Sequence, residues 1–327
     1  MRDFSYSRAG SLDEARQATL APGALLLAGG TTLLDLAKCG VTEPETVIDI
    51  SHLPGLDAIT VDEEGITIGA LARMSAVADH PGVKAALPAV TESLSLAASA
   101  QLRNMATIGG NLLQRTRCTY FRDPATFPAC NKRNPGSGCS AIGGVTRNHA
   151  VLGTSEQCIA SYPGDMAIAL VAFDAVLDLG TRQVPVEDFF LSYADAPEKE
   201  TVLQPGEMIL GVKLRNTAAG MRSTYLKVRD RQSYEFAAAS AAVGLEFDED
   251  GKTIKDIRVA LGGVASKPWR ARAVEHALVG KVLEAETVAY AARLAMDGAV
   301  SYSDNLYKIE LAPRVVTRAI LTVGGLA

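Results

Sequence analysis

Apolar positions in the first seventy residues fall in short runs, each closed by glycine or by a capping residue. "SLDEARQATL" carries Ser11 at an N-cap position and Glu14 three residues on, so it predicts a capped helix. "GALLLAGG" reads as a short apolar strand stopped by paired glycines, and "TTLLDLAKCG" predicts a helix with Gly40 just past its end. "ETVIDIS" and "GITIGAL" predict two more strands. From Met74 to Ala106 the pattern is largely helical, interrupted by Pro81 and Pro88. The stretch from Asn111 to about Gly153 has no clear period, and something other than a core must order a loop of that length. An αβ unit follows in "YPGDMAIALVAFDA" and "AVLDL". The pattern changes near Asn216–Gly220. Beyond it come antiparallel strands turning at Glu249–Gly251, then amphipathic helices in "RARAVEHALVG", "EAETVAYAARLAMDG" and "YKIELAPRVVTRAILTVG".

A chain of 327 residues, 48% hydrophobic, exceeds the usual single domain, so two or more are expected. The 29 glycines and 6% aromatics suit an α/β enzyme with many tight turns. The net charge of −5 comes with no basic stripe for nucleic acid and no basic amphipathic helix for a membrane surface. The N-terminus lacks a signal-peptide apolar core, and no run of 18 apolar residues would span a bilayer. Folding in the cytoplasm is therefore expected, where clustered thiols more often bind metal than pair as disulfides.

Four of the five cysteines, Cys118, Cys130, Cys139 and Cys158, lie within 41 consecutive residues. Their gaps of 11, 8 and 18 residues contain no tight C-x2-4-C pair, so neither a zinc ribbon nor a compact ferredoxin run is indicated. Ordinary core packing explains Cys130 and Cys139 poorly, because their neighbours are Pro, Asn, Lys, Arg and Gly. Four thiolates on one centre would tie down the segment. A [4Fe–4S] cluster accepts such scattered ligands, and zinc is the competitor. Cys39, in the last turn of a predicted helix, reads as structural. The four histidines, His52, His80, His149 and His276, are scattered and mostly in turn or surface contexts, with no nucleophile–His–acid arrangement. No catalytic residue for substrate chemistry is expected on this chain.

Two stretches pair glycines with hydroxyl or amide side chains: "LAGGTTLLD" (Leu27 to Asp35) and "ATIGGNLLQ" (Ala106 to Gln114). Neither matches G-x-G-x-x-G, so a Rossmann site is not supported. The first has the physics of an anion site all the same. Gly29 and Gly30 let backbone N–H groups approach a ligand, Thr31 and Thr32 add hydroxyls, and a helix start follows.

"LLAGGTTLLDL" and "QLRNMATIGGNLLQ" together resemble the flavin (medium) subunit of the molybdenum hydroxylases, the xanthine dehydrogenase and carbon monoxide dehydrogenase family. "YPGDMAIALVAFDA", "GEMILGVKL", "YLKVRDRQSYEFAAASAAVGL" and "VALGGVASKPWRA" match in the family's order and extend the likeness over nearly the whole chain. Most such subunits lack the cysteine-bearing insertion. It is similar to the smaller group whose flavin subunit also holds a [4Fe–4S] cluster, as in bacterial periplasmic aldehyde oxidoreductase; a related insertion occurs in 4-hydroxybenzoyl-CoA reductase.

The resemblance implies an α+β fold. An FAD-binding domain over residues 1–217, of two α/β subdomains at about 1–55 and 56–217 with the insertion at about 115–158, would precede an α+β C-terminal domain over 218–327. It implies FAD contacts from Leu27, Ala28, Gly29, Gly30, Thr31, Thr32 and Leu33, with their backbone N–H groups on the pyrophosphate. Thr107, Gly109, Gly110 and Asn111 would contact the flavin and its phosphates, Asp165 the FAD hydroxyls, and Lys227 and Leu210 the ring region. On residue type alone, Asp165 reads equally as an N-cap and Lys227 as a surface lysine. Cys118, Cys130, Cys139 and Cys158 would hold the [4Fe–4S] cluster. Partner subunits with a molybdenum cofactor and [2Fe–2S] clusters are implied, in a heterotrimer that oxidises aldehyde to carboxylic acid, as is an external electron acceptor. The implied location is the periplasm, by co-export with a signal-bearing partner, with the cytoplasm as alternative. Two rivals stand beside this: a stand-alone flavin oxidase of the vanillyl alcohol oxidase type, and a non-catalytic assembly subunit with structural zinc.

Overall fold

The computed structural model describes residues 1–194 and 196–326. Strands β1 (Ser5–Arg8), β2 (Ala24–Leu27) and β3 (Thr46–Asp49) form a parallel sheet in the order β1-β3-β2. Parallel neighbours need crossovers, and the helices Leu12–Ala18 and Leu33–Lys38 supply them. Ser11 Oγ accepts from the Glu14 N–H at 3.1 Å, as its cap position predicts, while Glu14 accepts from the Gly10 N–H at 2.6 Å. This layer packs through Ala15, Ile48, Ile50 and Leu53 onto Leu71 and Met208 of the next.

The second sheet is antiparallel throughout. It joins β4 (Ile59–Val61), β5 (Gly65–Gly69), β6 (Val176–Asp178), β7 (Gln183–Pro185) and β8 (Gly211–Arg215) in the order β4-β5-β8-β6-β7. The long helical pattern after Met74 resolves into Met74–Ala78, Pro81–Ala86, Pro88–Ser95 and Ala100–Met105. Pro81 and Pro88 each open a helix, where a missing N–H breaks no bond. Every residue of the helix Met166–Ala172 is buried, between this sheet and the third.

The third sheet is also antiparallel, with β9 (Ser223–Val228), β10 (Ala239–Phe247), β11 (Ile254–Gly262) and β12 (Trp269–Arg270) in the order β12-β11-β10-β9. The helices Arg272–Leu278, Ala285–Ala292 and Tyr307–Gly324 complete the C-terminal part. Val316, Ala319 and Ile320 of the last helix are buried in one core with Val243, Leu245 and Val259 of the sheet. Among the described residues, no helix is long and apolar enough to cross a membrane.

Between Leu113 and Tyr162 the chain builds almost no regular structure beyond the four-residue helix Thr119–Arg122. Its order comes from side chains closing on backbone. The Arg133 guanidinium donates to the carbonyls of Tyr120 at 2.7 Å and Phe121 at 2.6 Å, and also to Phe127 O. Phe121 is fully buried against Leu36 and Cys130, with the Arg115 guanidinium 4.6 Å from its ring centre. Thr146 bonds to Tyr302 and Asp304, and Leu152 bridges to Ala265. Removing the Phe121 ring should release this segment first. Phe121→Ala should cost about 3–5 kcal/mol at that site, and limited proteolysis should show faster cleavage between residues 115 and 158 with the three sheets intact.

Candidate functional site: a glycine-lined cleft and four converging thiols

The two glycine stretches meet. A Cβ added to Gly29 would stand 2.1 Å from the Met105 carbonyl oxygen, so the turn after β2 lies directly against the end of the helix Ala100–Met105. Gly30 adopts φ +73°, in the left-handed region that favours glycine. Thr32 sits at the start of the helix Leu33–Lys38, yet its hydroxyl makes no capping bond. In the second stretch the Thr107 hydroxyl accepts from the Gly110 N–H at 3.4 Å and opens the helix Ile108–Leu112. A Cβ on Gly109 would lie 3.1 Å from that of Ala70.

These turns line one cleft of about 470 Å³. Ala28 to Leu33 form one wall, and Thr107, Gly109 and Gly110 another. Apolar side chains of Ile50, Leu56, Leu71 and Met208 close it. Leu27, Asn111 and Leu210 are not part of its lining. Leu27 ends β2, and Leu210 packs with Ile50 and Met208 in the core between the first two sheets. Asn111 is held by Met74 Sδ at 3.6 Å, with its buried Oδ1 lacking a partner among the described residues.

A second cleft, of about 310 Å³, is lined by Asp165, Tyr162, Ser240, Phe236, Cys118 and His149, among others. Asp165 occupies the N-cap position of its helix but makes no capping bond. Its carboxylate instead accepts from the Tyr225 hydroxyl at 2.7 Å and from Lys227 Nζ at 2.8 Å. Lys227 is no surface lysine: its side chain is 1% exposed, and Nζ also donates to Leu96 O at 3.2 Å. Burial raises the Asp165 carboxyl above its ordinary range, opposed by the Lys227 charge and the Tyr225 bond. The pair comes from strand alternation, since Tyr225 and Lys227 are two residues apart on β9 and face the same side.

The four thiols converge across the insertion. Cys118 packs with Cys130 on one side and with Cys158 and Tyr193 on the other. Cys130 and Cys139 face each other as bridge partners, and all five cysteines are free thiols. Burial pushes the Cys118 thiol up to about 11, and nearby Cys130 and Cys139 add to the rise. Burial likewise pushes Cys158 to about 12, opposed by the Lys132 charge. Among the described residues, no three His, Cys, Asp or Glu side chains are grouped so as to hold a metal ion. Cys39 is the C-cap of the helix Leu33–Lys38 and half-buried, away from this packing.

Residue type alone misplaced one histidine. His149 closes a turn, its N–H donating to Thr146 O at 2.8 Å, but its side chain is buried, and its Nε2 lies 3.2 Å from Cys118 Sγ. Two arginines tie the thiols to the glycine turn, for Arg117 (3.1 Å) and Arg122 both pair with Asp35 in the helix that follows it. Arg117 also stacks on Phe236 at 5.0 Å, and Arg147 pairs with Asp230 at 2.8 Å. The loop 229–237 is thereby fastened over the second cleft. Neither arginine nor His149 follows a sequence period that would have marked it.

Known proteins are similar to this chain. The profile described as "FAD binding domain in molybdopterin dehydrogenase" matches residues 2–215, and "CO dehydrogenase flavoprotein C-terminal domain" matches residues 224–323. The aldehyde oxidoreductase FAD-binding subunit PaoB of Escherichia coli is 46% identical over 282 residues, covering 84% of this chain and 86% of its own. The carbon monoxide dehydrogenase medium chain of Hydrogenophaga pseudoflava is 28% identical over 97% of this chain and 96% of its own. A solved structure of carbon monoxide dehydrogenase from the same organism superposes with a TM-score of 0.76 at 27% identity, over 100% of this chain and 99% of that one. The glycine-lined cleft, the antiparallel C-terminal sheet and these matches agree: the chain belongs to the FAD-binding medium subunits of the molybdenum hydroxylase family, oxidoreductase subunits that work within a complex.

Proposed function

We propose that the chain is the FAD- and [4Fe–4S]-bearing electron-transfer subunit of a molybdenum-dependent aldehyde oxidoreductase. The observation that carries this beyond the family is the convergence of Cys118, Cys130, Cys139 and Cys158 in a segment with almost no regular structure. Four thiols are the donor set of an iron–sulfur cluster, although among the described residues no three are grouped as a single metal ion would need. The bare glycine turns fit a pyrophosphate approached by backbone N–H groups. The likeness to an aldehyde oxidoreductase subunit supports the reaction class. In this reading, residues 1–217 and 218–327 are the two domains. A molybdenum-cofactor subunit and a [2Fe–2S] subunit are the partners, and an external acceptor takes the electrons.

The bound flavin would accept two electrons and release them singly. The chain's own residues hold and shape it. The N–H groups of Ala28 to Leu33 and the hydroxyls of Thr31, Thr32 and Thr107 would face its phosphates, whereas the N–H groups of Gly109 and Gly110 are already given to Ala70 O at 2.8 Å and Thr107 Oγ1 at 3.4 Å, so these two glycines would serve by leaving room. Asp165 is fixed by Tyr225 and Lys227, so its free lone pairs present an acceptor to the cleft in one orientation. Lys227 places a buried positive charge beside that cleft, which favours negative charge on whatever occupies it. The loop 229–237, touched by Arg117 and Arg147, lines the same cleft.

Each part has its measurement. In Gly29→Ala, the added methyl would meet Met105 O, so the variant should purify with little flavin, read as the ratio of 450 to 280 nm absorbance. Full flavin content would refute the glycine turn as the pyrophosphate site. The as-purified wild-type chain should carry about four iron and four acid-labile sulfide. Cys130→Ser should lose them and Cys39→Ser should keep them. One zinc without sulfide would replace the cluster by a structural metal. The same reading has the chain exported, already folded, with a signal-bearing partner. Fractionation of cells should then find it in the periplasm only when that partner's signal is intact, and periplasmic chain without the partner would contradict co-export.

A further inference from the structure

Beside the thiols lies a buried charge group that the flavin chemistry does not use. Lys132 Nζ is 3.1 Å from Glu200 and donates to Pro197 O at 2.8 Å, and its side chain is 1% exposed. Arg115 reaches the same Glu200 oxygen at 2.8 Å. Two cations thus share one carboxylate among the described residues, and Glu200 is only 17% exposed. The ammonium also stands 3.6 Å over the ring of Tyr193, which packs on Cys158 and Cys118. Next to it, Asn131 Nδ2 donates to Gln157 O at 2.9 Å and Gln157 Oε1 at 2.8 Å, holding Lys132 alongside Cys158. A buried charge pair with one cation in excess is costly. Simple bracing would be met as well by an apolar side chain.

The geometry points to Lys132, Glu200 and Arg115 as a positioning group that sets the reduction potential of the four-cysteine centre, their excess positive charge favouring its reduced form. The inference rests on the cluster reading above. Reduction adds one electron and no proton to a centre already negative through its four thiolates. A cation held in a poorly screened place stabilises the reduced form more than the oxidised one.

The test is a dithionite titration of the full chain, followed by electron paramagnetic resonance, with iron and sulfide quantified on each sample. Lys132→Met removes a positive charge and should make the centre harder to reduce. Glu200→Gln removes a negative charge and should make it easier. Each should change the reduced-to-oxidised ratio at fixed poise by about tenfold, which for one electron is about 59 mV. Lys132→Arg should stay near wild type. Shifts of one sign in both charge-changing variants, or no shift, would overturn the inference while leaving the cluster in place. If the two variants fail to hold iron that wild type holds, the group is a brace and the inference also falls. Wild-type protein without iron and sulfide would instead remove the cluster reading itself.

Discussion

Everything in the FAD-binding part depends on one close approach of backbone to backbone. Gly29 lies so near the Met105 carbonyl that any side chain there would collide with it. This contact joins the parallel sheet to the helices of the next layer. It leaves the two glycine turns on the walls of one cleft rather than on two separate surfaces. The apolar residues that close the cleft come from both layers, Ile50 from the first and Ala70, Leu71 and Met208 from the second. The glycine is thus required for packing before any ligand is considered, and the binding surface follows from the packing.

The second organising force is charge removed from water. Asp165 with Lys227 is fully buried, and Lys132 is buried beside the partly exposed Glu200 and Arg115; both groups are held by hydrogen bonds to neutral partners. Such groups add little net stability, and breaking one partner strands the other at a cost of several kcal/mol. Their value is orientation. The first fixes an acceptor in the second cleft, and the other ties Tyr193, Pro197 and Glu200 to the cysteine-bearing insertion.

Local rules in the sequence reached most of the elements. Ser11 acts through a bond made within a few residues, so its helix begins where expected, and Pro81 and Pro88, read as interruptions, each open a new helix. The paired glycines were legible as turns, and the order of the motifs indicated that they work together. The excess of cysteine between residues 118 and 158 was visible as a count. What could not be read was which side chains meet across long separations. His149 ends a turn, as its polar neighbours in sequence suggest, yet its side chain is buried against a thiol 31 positions away. Lys227 looked exposed because strand alternation shows only that one face is buried, not which face. Asn111 and Leu210, expected at the ligand, lie outside the cleft lining although their neighbours Gly110 and Ile209 belong to it.

The anchoring of the insertion also dictates timing during synthesis. Thr146 and Ala150 are held by Tyr302, Asp304 and Asn305, across separations of 155 to 158 residues. Val151 is held by Val264. None of these partners exists when the cysteines leave the ribosome. The anchoring of the insertion is therefore complete only after nearly the whole polypeptide has emerged.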